Sequence, residues 1–234
     1  MPAGGRRLGP ASRSGSTLSE AIHPPAAPSE RQLEALGRAL RQNPRLDAVL
    51  QGARQLELPD WYLAAGCIAQ TVWNLLSGRA PDAGIRDYDL PYFDAADLSW
   101  AAEDRVIRAA RDQFADLPAV VEVRNQARVH LWYQAHFGVP APPYPSVEAA
   151  ISTYPTTATS VGVRLEAQGS IRVFAPFGLT DLFGMVVRPN SVLAPRIVYE
   201  AKVRRYLQEW PELTVLPWPD SGPEAVLAPQ SGEA

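Results

Sequence analysis

Lysine is almost absent from this chain of 234 residues: Lys202 is the only one among 22 basic side chains. No phosphate-binding loop built on lysine, and no Schiff-base lysine, can therefore lie anywhere else in the chain. Cysteine is equally scarce. Cys67 is the sole example, which excludes an intramolecular disulfide. No segment approaches the roughly 20 apolar residues that a bilayer-spanning helix needs. Nor is there an excess of positive charge. With 22 basic residues against 25 acidic ones, no general electrostatic grip on nucleic acid or on an anionic membrane is expected, so any anionic ligand must be held by local groups. These absences point to a cytoplasmic protein with no membrane partner.

What is present reads as one domain between two tails. Residues 1–28 and 219–234 are rich in Gly, Pro, Ser and Ala without a periodic apolar face, and are expected to be disordered. Arg6 and Arg7 could open an export signal, but no apolar segment follows them. The domain is expected over 29–218. Ser29 is a suitable N-cap for a helix carrying Leu33, Leu36 and Leu40 on one stripe, and a second helix follows Pro44.

From Trp61 to Ala65 a short apolar run meets Gly66, and Ile68, Val72, Leu75 and Leu76 then recur at helical spacing. The pattern is strand, tight turn, helix. Such a turn leaves backbone N–H groups free at a helix N-terminus, where phosphate oxygens can bind, although glycine also serves there for geometry alone. Further on, the stretch IRDYDLPYFD puts Asp87 and Asp89 on one face of a strand, with Tyr88 and Leu90 on the other. Two carboxylates aimed at one point repel unless they reach solvent, keep a proton or share a cation. Magnesium suits them, because it is usually bound through one or two carboxylates plus substrate phosphates.

This order of elements resembles the nucleotidyltransferase superfold that includes DNA polymerase β. More closely, the chain resembles a bacterial family of nucleotidyltransferases formerly classed as a domain of unknown function. The residues that carry the resemblance are AAGCIAQTVWNLLSG, the two aspartates and YFD of RDYDLPYFD, VEVRNQARVHLWY, and APFGLTDLFGMVVRPN, spanning roughly Ala64 to Asn190. The resemblance implies an α/β (α+β) fold with a mixed β-sheet flanked by helices. It also implies metal-dependent transfer of a nucleoside monophosphate from a nucleoside triphosphate to an acceptor hydroxyl, at a site with two Mg2+ ions. The acceptor would be a small molecule, an RNA end or a protein.

By the same resemblance, Gly66 and Cys67 occupy the turn that receives the triphosphate, and Asp87 and Asp89 form the metal-binding catalytic pair. Cysteine stands where the family has serine, so a hydroxyl contact to phosphate is lost. The third catalytic carboxylate should come from a neighbouring strand after a helix. Glu122 meets that description behind a helix capped by Ser99, with Asp94 and Asp181 as rivals.

Beside Glu122, the residues Arg124, Asn125, Arg128 and His130 bring several donors together. Arg128 and Asn125 are candidate nucleotide-binding residues, and His130 a candidate for orienting the acceptor; all three can equally be a polar helix start satisfied within the fold. Beyond an extended, proline-rich connector, VGVRLEA and IRVFA read as a hairpin. A short helix then carries Asp181, and an arginine-rich helix with Lys202, Arg204 and Arg205 closes the domain. Two other functions stay open. One is a catalytically degenerate module of the same fold that binds nucleotide or protein. The other is a hydrolase or acyltransferase with Cys67 as nucleophile and His130 as base.

Overall fold

Short polar side chains set the first two helices, as expected from the sequence. In the computed structural model, which describes residues 27–219, Ser29 caps helix α1 (Glu30–Leu40) in a reciprocal capping box with Gln32. Asn43 caps α2 (Pro44–Gln55), its side chain accepting from the Leu46 N–H. The tails expected to be disordered, save residues 27, 28 and 219, lie outside the described residues.

The strand expected over Trp61–Ala65 is regular only at Leu63–Ala64 (β1). Its pairing reaches further, because the Tyr62 N–H donates to the Pro91 carbonyl at 3.0 Å and the Ala65 N–H to the Val161 carbonyl at 2.9 Å. Helix α3 (Gly66–Leu76) follows at once, then β2 (Asp87–Tyr92), α4 (Trp100–Gln113) and β3 (Val120–Asn125). The α4 crossover makes β2 and β3 parallel neighbours. After a 3-10 turn (Gln126–Leu131) come α5 (Tyr133–Phe137) and α6 (Val147–Ile151). The expected hairpin is β4 (Gly162–Leu165) with β5 (Ile171–Phe174). The result is a five-stranded mixed sheet in the order β3-β2-β1-β4-β5. A fold of helices flanking a mixed sheet is thus present.

The chain ends with α7 (Thr180–Phe183), β6 (Val186–Val187), α8 (Arg196–Glu209) and β7 (Thr214–Val215), the two strands forming a small parallel pair that was not anticipated. Trp73 of α3 fastens this last part. Its ring meets Tyr206 and Trp210 edge-on at 5.3 and 5.6 Å, and its indole N–H donates to the Leu182 carbonyl at 3.2 Å. Buried Asn74 adds polar fasteners: it accepts from the Trp210 indole at 2.8 Å and donates to the Ala83 carbonyl at 2.8 Å. Helix α8 and the loop before β2 are thereby both held against α3.

The core lies on one face of the sheet. Tyr88, Leu90 and Tyr92 of β2 point into it among Leu36, Leu50, Val72 and Trp73, each contributing on the order of 2 kcal/mol by burial. Period-two alternation then obliges Asp87 and Asp89 to occupy the opposite face. Among the described residues, no helix is long and apolar enough to cross a membrane.

Candidate active site

On that opposite face the sheet floors a cavity of about 280 Å3, bounded by Ala65 and Gly66, by Asp89 and Glu122, and by Lys202 from α8. Strand register assembles the acids. Asp89 lies directly across the parallel ladder from Glu122, and Asp87 precedes it on the same face, opposite Val120. Of the rivals to Glu122, Asp94 turns a carboxylate oxygen onto the Ala96 N–H at 2.9 Å. Asp181 is held by Thr157 at 2.6 Å and by Arg188 at 2.9 Å. Both are engaged in local structure, which leaves Glu122, exposed and without an ion pair among the described residues, as the acid that register places beside Asp89.

Electrostatics marks the same spot. Burial first, and the Asp87 charge second, push the Asp89 carboxyl up to about 7, with Glu122 raising it further and Lys202 and Arg205 opposing. The site thus carries negative charge that its own cations only partly offset. An all-oxygen donor set of this kind fits a hard divalent cation such as Mg2+. Among the described residues no group of three or more His, Cys, Asp or Glu could hold a metal by itself. Two carboxylates on one face, Asp87 and Asp89, would supply only part of a coordination sphere, so a cation there would need further ligands from outside the protein.

The turn into α3 is strained. Ala65 adopts φ 62° and ψ −128°, in the left-handed half of the map, and offers the helix no side-chain cap. The start of α3 at Gly66 is therefore free of any side-chain competitor for an anion. Cys67 contributes less than its position promised. Its side chain is fully buried and its Sγ donates to the Ala64 carbonyl at 3.3 Å, so only its backbone N–H can serve a phosphate. Burial, reinforced by Asp89 and Asp87, pushes the thiol well above its usual range. A nucleophilic Cys67 is excluded on both counts, and the cysteine-dependent hydrolase or acyltransferase with it.

Asn125 and Arg128, the candidate nucleotide-binding residues, have their polar atoms engaged within the fold. Arg128 forms a buried ion pair with Glu103 of α4 and donates from Nε to the Leu98 carbonyl at 2.9 Å. Asn125, 2% exposed, accepts from the N–H groups of Asp94 and Ala127 and donates to the Asp94 carbonyl at 2.8 Å. Their polar atoms fasten β3 to α4 and to the loop after β2, and neither residue lines the cavity. His130 does not line it either. In place of these the structure supplies Lys202, which has no ion pair among the described residues, together with Arg124 and Thr159 on the cavity wall. The one sequence signal for Lys202 was its singularity in a chain that otherwise uses arginine.

The chain is similar to known proteins over most of its length. The nucleotidyltransferase family model matches residues 51–215. A structure solved by NMR and described as revealing a CCA-adding enzyme head domain is 28% identical, covering 79% of this chain and 96% of its own, with a TM-score of 0.64. A tRNA-processing enzyme in its apo form is matched at 15% identity over 82% of this chain and 45% of its own, with a TM-score of 0.41. No curated protein matches the chain.

Proposed function

The chain belongs to the nucleotidyltransferase family, and on that premise we propose that one domain, residues 29–218, transfers a nucleoside monophosphate from a nucleoside triphosphate to an acceptor hydroxyl and releases pyrophosphate. The observation that carries this reading is the register that sets Glu122 beside Asp89, with Asp87 on the same face, at a cavity shared with the start of α3 and with Lys202. In this reading Asp87 and Asp89 hold Mg2+, in a two-metal arrangement. When bound, the metal lowers the pKa of the acceptor hydroxyl and neutralises charge on the leaving pyrophosphate. The backbone at Gly66 and Cys67 receives the triphosphate, whose negative charge Lys202 complements. Glu122 accepts the proton released by the acceptor.

A small molecule, an RNA end or a protein side chain can each supply the acceptor hydroxyl. The likeness to a CCA-adding enzyme head domain puts an RNA end first in the order of testing. One observation favours the alternative of a degenerate module that binds nucleotide or protein: the Cys67 side chain at the turn is buried, so it offers no hydroxyl-like contact to phosphate.

Thermal unfolding with ATP, GTP, CTP and UTP, with and without Mg2+, tests the reading, because a ligand that binds only the folded state must stabilise it. A Mg2+-dependent shift that Asp87→Asn/Asp89→Asn abolishes is expected, followed by release of labelled pyrophosphate once an acceptor is supplied. Absence of any shift at millimolar nucleotide would sink the proposal. Metal-dependent binding without turnover on any acceptor class would establish the degenerate module.

A further inference from the structure

The carboxylates are only part of the cavity lining. Trp132, Tyr133, Phe137, Tyr144 and Tyr154 line it as well. The first three belong to a short arm whose helix, α5, has no buried residue and ends at Gly138 in the left-handed conformation. The arm's rings touch chiefly one another: Tyr133 and Phe137 lie 4.5 Å apart, Trp132 and Tyr133 6.0 Å. Trp132 remains 37% exposed. Tyr133 packs against the buried cluster of Val129, Tyr144, Ala150 and Leu193, but Trp132 and Phe137 keep aromatic surface in the same cavity as the acids, where a ligand would cover it.

Resting on the transferase reading above, we propose that this aromatic arm holds the nucleobase of the nucleoside triphosphate by stacking. A triphosphate belongs with the free start of α3 and Lys202, and its Mg2+ with Asp87 and Asp89. The rings line the same cavity and are left for the nucleoside, and Phe137 also lines a second pocket with Lys202, so the arm begins beside that cation. Of the polar groups that share the cavity with the rings, the Tyr144 hydroxyl is hydrogen-bonded to Thr153 at 2.8 Å, and the Gln126 amide donates to the Arg124 carbonyl at 3.2 Å. What the arm chiefly offers is ring faces. Every base has a face to stack, so all four nucleotides are accommodated.

Equilibrium binding of the full chain to nucleoside triphosphates and to inorganic tripolyphosphate, both with Mg2+, separates the stacking contribution from that of the phosphates. Each of the four nucleotides should bind at least about tenfold more tightly than tripolyphosphate and quench tryptophan fluorescence. Trp132→Ala and Phe137→Ala should each lose about tenfold in nucleotide affinity while leaving tripolyphosphate affinity unchanged, and Trp132→Phe should restore most of the loss. Circular dichroism confirms that the variants are folded. Nucleotides that bind no better than tripolyphosphate, or arm variants with unaltered nucleotide affinity, overturn the stacking site and leave the transferase reading in place. Failure of both tripolyphosphate and nucleotides to bind overturns the two together.

Discussion

Strand β2 shows two regions of this molecule back to back. On one side Tyr88, Leu90 and Tyr92 disappear into the apolar core. On the other, one residue out of step, Asp89 lines a cavity with Glu122, with Asp87 on the same face, and there like charges crowd and one carboxyl is held near neutral pH. The first face stabilises the fold and has no chemistry; the second weakens it in the absence of a cation. Every residue moved from one face to the other would lose both properties, because a slip of one position inverts the strand.

The largest expected effect would break the acidic face. Asp87→Asn/Asp89→Asn should lower turnover by on the order of 10²–10³-fold while leaving the unfolding midpoint of the ligand-free protein equal or higher. Activity and denaturant unfolding, measured on the same sample, check both halves.

Removing support from behind the site should do the reverse. Arg128→Ala leaves Glu103 buried without its partner and should cost about 3 kcal/mol in urea unfolding, with nucleotide affinity of the folded protein unchanged. A selective loss of nucleotide binding would instead return Arg128 to the site. On the core face, Leu90→Ala should cost a similar amount, about 3 kcal/mol, again with affinity preserved in the folded fraction.

The pH dependence sharpens the comparison further. Asp89 keeps its proton to about pH 7 in the folded chain but releases it near 3.8 when unfolded. Between those values the folded state binds more protons than the unfolded state, so this group's contribution to stability falls as pH rises from about 4 to 7 and is constant above. The fall should be on the order of 4 kcal/mol. It should be seen as a difference between wild type and Asp89→Asn in unfolding series across pH, and millimolar Mg2+ at pH 8 should recover part of it.

The smallest effect concerns the turn between the faces. Ala65→Gly relieves the left-handed backbone and should stabilise by about 0.5–1 kcal/mol, visible as a small rise in the thermal midpoint.

Much of this was legible from local signals. The caps at Ser29 and Ser99, the proline at the start of α2 and the alternation in β2 act over a few residues, and each element formed where those signals put it. The partners of Asn125 and Arg128 were not legible, for the complementary reason. Their donors are satisfied by Asp94, Leu98 and Glu103, which reach them only once α4 has crossed over the sheet. The region after Asn125 forms a 3-10 turn rather than the α-helix that would have aligned their side chains. Glu122 was one of three candidate acids until strand register set it opposite Asp89 and Asp94 and Asp181 found other partners.

By itself, then, the sequence determined the helices, the alternating faces of β2 and the pair of aspartates that one face must carry, because caps and strand periodicity operate between near neighbours. Only the tertiary structure decided which third acid joins them, that the Cys67 thiol turns away, and that Lys202 and the aromatic arm complete the cavity. Those outcomes depend on packing α8 against Trp73 and on aligning β2 with β3. Contacts across such long stretches of chain are fixed by the fit of whole elements, and no local pattern encodes them.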